Sequence, residues 1–102
     1  MIKVYGSNMC HDCRELKQNF DANEIRYQFI DINENLRNLS RFLRLRDTRD
    51  VFENCRAIGD IGVPALILDN GEITLKWREW LRKQGYELIG DAAMACDIIG
   101  EQ

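Results

Sequence analysis

The stretch SNMCHDCREL, residues 7–16, places two cysteines in a CxxC pattern where a short apolar strand is followed by a helix. The preceding residues 2–5, IKVY, alternate and are rich in β-branched and aromatic side chains, which predicts a strand. After Cys10, apolar residues recur at intervals of three and four, which predicts a helix over about residues 10–23 with one buried face. They are Cys13, Leu16 and Phe20. Cys10 therefore lies in the first turn of a helix.

The rest of the chain continues the alternation of strands and helices. A strand is predicted over residues 25–32, followed by a helix with the buried stripe Leu36, Leu39 and Leu43 and a short helix with Val51, Cys55 and Ile58 inward. The strands ALIL and EITL then form a hairpin around the turn DNG, residues 69–71. A helix over about 76–84 is predicted to bury Trp77, Trp80 and Leu81 and to end at Gly85. Asp91 is a candidate cap for a last short helix in which Ala92, Cys96 and Ile99 share a face.

Length and composition favour one small intracellular domain. A chain of 102 residues with 45% hydrophobic content supports one core, so residues 1–102 are expected to form a single domain. A net charge of −3 argues against nucleic acid as a partner. No segment resembles a signal peptide or approaches the roughly 20 apolar residues of a membrane span, so we expect a cytoplasmic protein without membrane contact. The four cysteines then need an explanation other than a secreted disulfide framework.

The CxxC pair has the arrangement of a redox dithiol. The first sulfur lies where unpaired backbone N–H groups and the positive end of the helix dipole favour an anion, so Cys10 is predicted to ionise more readily than Cys13. Cys10 would then attack a substrate disulfide, and Cys13 would resolve the mixed disulfide. A charged His11 would favour the Cys10 thiolate, whereas Asp12, with Glu15 nearby, would disfavour it.

Two other readings of the cysteine pair stay open at this point. Cys13 is also a small hydrophobic residue on the buried face of its helix, although packing leaves Cys10 unexplained. A CxxC is also half of a common zinc site, but a closed site needs two more ligands. Cys55 and Cys96 both read as core residues in separate elements, so no metal site is predicted. A cytosolic CxxC beside a β-α-β unit favours thioredoxin-like redox chemistry.

Pro64 is the single proline of the chain and immediately precedes the strand ALIL. Because proline cannot donate to a sheet ladder, it belongs at the start of the strand or in the turn before it. A cis peptide bond before Pro64 is compatible with that position.

Together, the order β-α-β-α-β-β-α, the motif CHDC at residues 10–13 and the motif GVPALIL before the third strand resemble the glutaredoxin branch of the thioredoxin superfamily. The resemblance covers about residues 1–84 and leaves residues 85–102 as an extension. It implies a thioredoxin-like α/β fold with a central mixed four-stranded sheet flanked by helices, an extra helical segment around residues 47–58, and a cis Val63-Pro64 bond. It also implies that Val63 and Pro64 contact the substrate beside Cys10 and Cys13.

The sequence departs from this family where the family binds glutathione. The usual Gly-Gly pair and following acidic residue fall near Thr74, Leu75 and Lys76, which are the expected glutathione-binding positions; the glycines are absent. Side chains there occupy space where a ligand would approach the backbone. Arginines that could receive a glutathione carboxylate are more simply read as a solvated face: Arg37, Arg41, Arg44, Arg46 and Arg49.

The predicted function is a thiol-disulfide oxidoreductase that reduces protein or glutathione mixed disulfides, with Cys10 and Cys13 catalytic and His11 and Asp12 tuning them. No tightly bound cofactor is expected; glutathione is a candidate co-substrate, and a thioredoxin-type reductase is a candidate electron donor. One alternative is a metal or iron-sulfur module of the same family that uses Cys10. Another is a protein similar to arsenate reductases, which usually carry an arginine where this chain has Val63.

Overall fold

The computed structural model of the protein describes residues 1–90. Within them, strands and helices follow in the predicted order. The elements are β1 (Ile2–Gly6), α1 (His11–Ala22), β2 (Tyr27–Asp31), α2 (Leu36–Thr48), a 3-10 helix (Asp50–Phe52), α3 (Glu53–Ile58), β3 (Ala65–Ile67), β4 (Ile73–Thr74) and α4 (Trp77–Lys83). The helix predicted to contain Ala92, Cys96 and Ile99 lies outside the described residues.

The strands form one mixed four-stranded sheet in the order β2-β1-β3-β4. β1 and β2 are parallel, as expected when a helix connects them, whereas β3 is antiparallel to β1 and β4 is antiparallel to β3. β2 is shorter than the predicted range 25–32, because the Ile25 N–H is still bonded to the Phe20 carbonyl (2.9 Å) in the turn after α1. These residues therefore form an α/β structure in which helices flank a mixed sheet.

Side-chain alternation along β1 and β3 divides the core between the two faces of the sheet. On one face, Val4 and Leu66 pack with residues of α1 and α4; on the other, Tyr5 and Ala65 pack with residues of α2 and the 3-10 helix. The first cluster consists of Val4, Leu16, Phe20, Leu66, Trp77 and Leu81. Since α1 and α4 share a face, the helix that begins at the CxxC pair packs in the same core cluster as α4.

α2 buries a different residue from those predicted. Phe42 is buried, whereas Leu36 is 81% exposed and Leu43 is 39% exposed, so the predicted stripe is wrong at both ends. At about 100° per residue, Leu39 and Leu45 border a face centred on Phe42, while Leu43 is turned away by about 100°. The aromatic ring sets the orientation because it packs on both Tyr5 and Phe52 at centroid distances of 5.9 Å.

The segment after α2 also turns a different face to the core. It starts as a 3-10 turn, and Phe52 and Cys55 are buried, while Val51 and Ile58 are exposed at 39% and 68%. The predicted inward positions of Val51 and Ile58 are therefore wrong, and that of Cys55 is confirmed. Gly62 (φ +95°) lets the next loop approach Phe52, because a Cβ at this position would lie 2.9 Å from its ring.

The last described residues are hydrogen-bonded to α1. α4 buries Trp77 and Leu81 and is followed by Gly85 (φ +88°), which confirms the predicted end of this helix. The fully buried Asn19 accepts a hydrogen bond at Oδ1 from the Ile89 N–H (2.8 Å), which satisfies a buried amide group. None of the helices within residues 1–90 is both long and apolar enough to cross a membrane.

Candidate functional site

Cys10 is the N-cap residue of α1. The loop from Ser7 to Met9 connects β1 to this position, and the Cys10 N–H donates to the Ser7 carbonyl (3.1 Å). The Cys10 backbone is extended (φ −92°, ψ 123°), and its Sγ accepts a hydrogen bond from the Cys13 N–H at 3.2 Å. The sulfur thus takes the place of the side-chain oxygen in an ordinary helix cap. Cys10 is partly exposed.

Cys13 lies one turn into the helix and is fully buried. Its Sγ accepts a hydrogen bond from the Ser7 N–H at 3.4 Å, so the loop before Cys10 contacts both cysteines. Gly6 makes this packing possible, since a Cβ there would lie only 2.9 Å from the Cys13 sulfur. Burial raises the pKa of Cys13 to about 12. At neutral pH, Cys13 is therefore a protonated thiol.

The two residues between the cysteines have separate partners. The His11 side chain is 67% exposed, and its Nε2 lies 3.5 Å from Glu15 Oε1 one turn further along α1. Asp12 forms an ion pair with Arg78, the second residue of α4. Arg78 lies over the Trp77 ring at 4.5 Å from the centroid. No periodicity or motif in the sequence links Arg78 to the cysteines, because 66 residues separate it from Asp12.

Val63 and Pro64 lie at the end of the sheet from which the chain leads to Cys10. The register pairs Tyr5 with Ala65, so the next residue on β1 and the residue before β3 are Gly6 and Pro64. The Val63-Pro64 bond is cis, as the resemblance implies. Pro64 is buried and Val63 is half-buried. Chain direction alone therefore brings this dipeptide to the end of the sheet where α1 begins.

The Thr74–Lys76 segment is a turn between β4 and α4. The Lys76 N–H donates to the Thr74 Oγ1 at 3.1 Å. Thr74 and Lys76 line an open pocket of about 380 Å³ whose walls contain neither cysteine. The pocket is lined by Leu68, Glu72, Thr74, Lys76, Glu79, Trp80 and Lys83. Thr74 and Lys76 thus open onto a pocket that neither cysteine lines, whereas Leu75 packs against the core cluster that contains Tyr5 and Ala65.

Most of the arginines in and after α2 form an exposed face. Arg37, Arg41, Arg44 and Arg49 are exposed. Arg46 differs, because its guanidinium donates to the carbonyls of Asp60 (2.7 Å) and Ile61 (3.3 Å) and so fixes the loop that leads to Val63.

The remaining cysteines do not extend the site within the described part of the chain. Cys55 is buried within α3, and Cys96 lies outside the described residues. Between residues 1 and 90, no group of three or more His, Cys, Asp or Glu side chains is close enough to hold a metal ion.

Comparison with known proteins relates the chain to a bacterial protein. No protein-family model matches the chain. It is 35% identical over 72 residues to an uncharacterized protein of Haemophilus influenzae (strain ATCC 51907 / DSM 11121 / KW20 / Rd), a match that covers 71% of this chain and 84% of that protein. The chain belongs to the same family as this uncharacterized Haemophilus influenzae protein.

Proposed function

We propose that the protein is a thiol-disulfide oxidoreductase in which Cys10 is the nucleophile and Cys13 the resolving thiol. The observation that carries the proposal is the unequal environment of the two sulfurs. Cys10 caps a helix, is partly exposed and accepts an N–H bond, whereas Cys13 is buried and protonated. A helix N-terminus stabilises a thiolate at Cys10, and burial protects Cys13 from reaction with other partners.

The first step is attack of the Cys10 thiolate on a substrate disulfide. A bond forms between Cys10 Sγ and one substrate sulfur, the substrate S–S bond breaks, and the other sulfur leaves as a thiolate. Burial is the main cause of the high pKa of Cys13, and the hydrogen bond and charge of Cys10 raise it further. These last two effects end when Cys10 enters a mixed disulfide. Cys13 then gives its proton to the departing thiolate more readily.

The second step closes the pair. The Cys13 sulfur attacks Cys10 Sγ, a Cys10–Cys13 disulfide forms, and the second substrate sulfur leaves as a thiolate that takes a proton from water. The substrate gains two electrons and the protein loses two. A dithiol protein or two small thiols must then reduce Cys10–Cys13 to complete the cycle.

The arrangement at the end of the sheet where α1 begins supports the glutaredoxin-like form of this proposal. The mixed four-stranded sheet, the helix that begins at the CxxC, and the cis Val63-Pro64 bond agree with what the resemblance predicts and support the proposal. We therefore propose a thioredoxin-like fold in which Val63 and Pro64 contact an extended segment of the substrate. A protein with an accessible disulfide is the substrate class that we propose for this end of the sheet.

We propose a dithiol protein, such as a thioredoxin-type reductase system, as the electron donor in preference to glutathione. The Lys76 N–H is already bonded to Thr74 Oγ1 and is not available to a ligand carboxylate in this conformation. The side chains of Thr74 and Leu75 also occupy positions where the resemblance leads one to expect glycine.

The test is disulfide turnover by single-cysteine variants. Cys10→Ser should lower the reduction of a disulfide-bonded peptide by dithiothreitol to the rate measured without protein. Cys13→Ser should accumulate one substrate thiol per chain as a mixed disulfide on Cys10, which mass spectrometry detects. Cys55→Ala, which changes a buried cysteine of α3 outside the CxxC pair, is the matched control and should retain turnover. Turnover above the protein-free rate that survives Cys10→Ser would overturn the proposal.

A further inference from the structure

An acidic residue between the two cysteines is electrostatically unfavourable for the chemistry proposed above. Asp12 lies in the first turn of α1, two positions from Cys10 and next to Cys13. A carboxylate there opposes the appearance of a second negative charge on Cys10, because like charges at this range disfavour the ionised form. The dithiol mechanism therefore needs a compensating positive charge near Asp12.

α4 supplies that charge. The Arg78 guanidinium donates a hydrogen bond to Asp12 Oδ1, and only 23% of its side chain is exposed. The Trp77 ring, itself almost fully buried, lies beneath the guanidinium and restricts its orientation. A charge-assisted bond with one partly desolvated partner is stronger and better fixed than an ordinary surface ion pair.

The other charged side chains near Cys10 have partners other than Asp12. Arg14 donates to the Asn8 carbonyl (2.9 Å), Lys17 donates to Asn8 Oδ1 (3.0 Å), and Asp31 at the end of β2 accepts from Asn8 Nδ2 (3.5 Å). His11 faces Glu15. Val63 and Pro64, which approach from β3, carry no charge. On α4, Glu79 pairs with Lys83 at 3.3 Å. Arg78 is thus the cation recorded on Asp12 among the described residues.

We propose that Arg78 is a positioning residue for Cys10: it neutralises Asp12 and holds the first turn of α1 against α4, so that the Asp12 carboxylate does not oppose a negative charge on Cys10. This inference rests on the proposed function. It assigns a role in the cysteine site to a residue of α4. It also explains how an aspartate can lie between two redox cysteines without suppressing their reactivity.

The experiment measures the pH dependence of Cys10 alkylation in the reduced protein. Iodoacetamide labelling is followed at Cys10 by mass spectrometry of peptide fragment ions, which distinguishes Cys10 from Cys13 on the same peptide. Arg78→Gln should move the midpoint of alkylation to higher pH by about half a pH unit, because Asp12 is left unpaired. Asp12→Asn should move it to lower pH by a similar amount. The double variant should return close to the wild-type midpoint, and Arg78→Lys should largely preserve it.

Lys83→Gln is the matched control, since it removes a positive charge from the same helix at a site away from Asp12. It should leave the alkylation midpoint unchanged. An unchanged midpoint in Arg78→Gln together with a lower melting temperature would overturn the proposal and leave Arg78 a structural residue. If Arg78→Gln does not fold, a midpoint that fails to fall in Asp12→Asn overturns it equally. Because alkylation needs no disulfide substrate, a failure of this inference is distinct from a failure of turnover.

Discussion

The Cys13 thiol and the Tyr27 hydroxyl make the stability of the folded protein depend on pH in the alkaline range. Burial raises the pKa of Cys13 from its ordinary value of 9.0 to about 12. Burial, together with the hydrogen bond to Asp21, raises the pKa of Tyr27 from 10.0 to about 12. In each case the folded protein holds a proton that the unfolded chain releases at lower pH.

The reduced protein should therefore lose stability as the pH rises from about 9 to 12. Between these values the unfolded state binds fewer protons than the folded state, so the free energy of unfolding falls with pH. For fully buried Cys13, the slope is at most about 1.4 kcal/mol per pH unit. Denaturant unfolding under reducing conditions at pH 8 and at pH 11 measures the loss.

Two variants separate the contributions of these groups. Cys13→Ala and Tyr27→Phe should each reduce the difference in stability between pH 8 and pH 11, whatever their effect at pH 8 alone. Equal pH-dependent losses in Cys13→Ala and in the wild-type protein would contradict the account of the buried thiol.

At the scale of elements, one aromatic residue determines which face of α2 is buried, although the aliphatic residues are spaced for another face. The helix carries apolar residues on two overlapping faces, so the spacing of Leu36, Leu39 and Leu43 looks as regular as the face that includes Phe42. Contacts with Tyr5 and Phe52 select the second face. Local periodicity contains no information about those partners.

Paired alanine substitutions in α2 test this orientation. Phe42→Ala should lower the free energy of unfolding by about 3–5 kcal/mol, because it removes a buried ring and leaves a cavity. Leu36→Ala, on the same helix but 81% exposed, should change it by less than about 0.5 kcal/mol. Chemical denaturation of the two variants gives both values. A similar loss in both would mean that α2 is rotated from the orientation described.

The elements that could be predicted from the sequence are those with strong local signals. The CxxC helix, the DNG hairpin and the end of α4 at Gly85 follow from capping, turn and glycine chemistry within a few residues. The pairing of Asp12 with Arg78 could not be predicted, because it depends on α1 and α4 packing on the same face of the sheet. Neither could the use of Arg46 to hold the loop before Val63.

At the scale of the whole molecule, the sheet topology gathers distant segments at one edge. Parallel β1 ends where α1 starts, antiparallel β3 begins at the same end, and α4 reaches it through Arg78. Cys10, Pro64 and Asp12 with its partner Arg78 thus lie toward the same end of the sheet although they come from distant parts of the chain. The position of Val63 and Pro64 beside the cysteines stays a prediction from the resemblance, and the register supports it by placing Pro64 next to the end of β1.

The reduction potential of the Cys10–Cys13 pair tests the central claim most directly. Purified protein is equilibrated in glutathione redox buffers, quenched, and its free thiols are counted by mass spectrometry at each potential. We predict a reversible two-electron transition in which Cys10 and Cys13 lose their thiols together, within about −180 to −270 mV. Cys55 should stay reduced throughout. A pair that retains both thiols across the whole series of buffers would contradict the proposed dithiol mechanism.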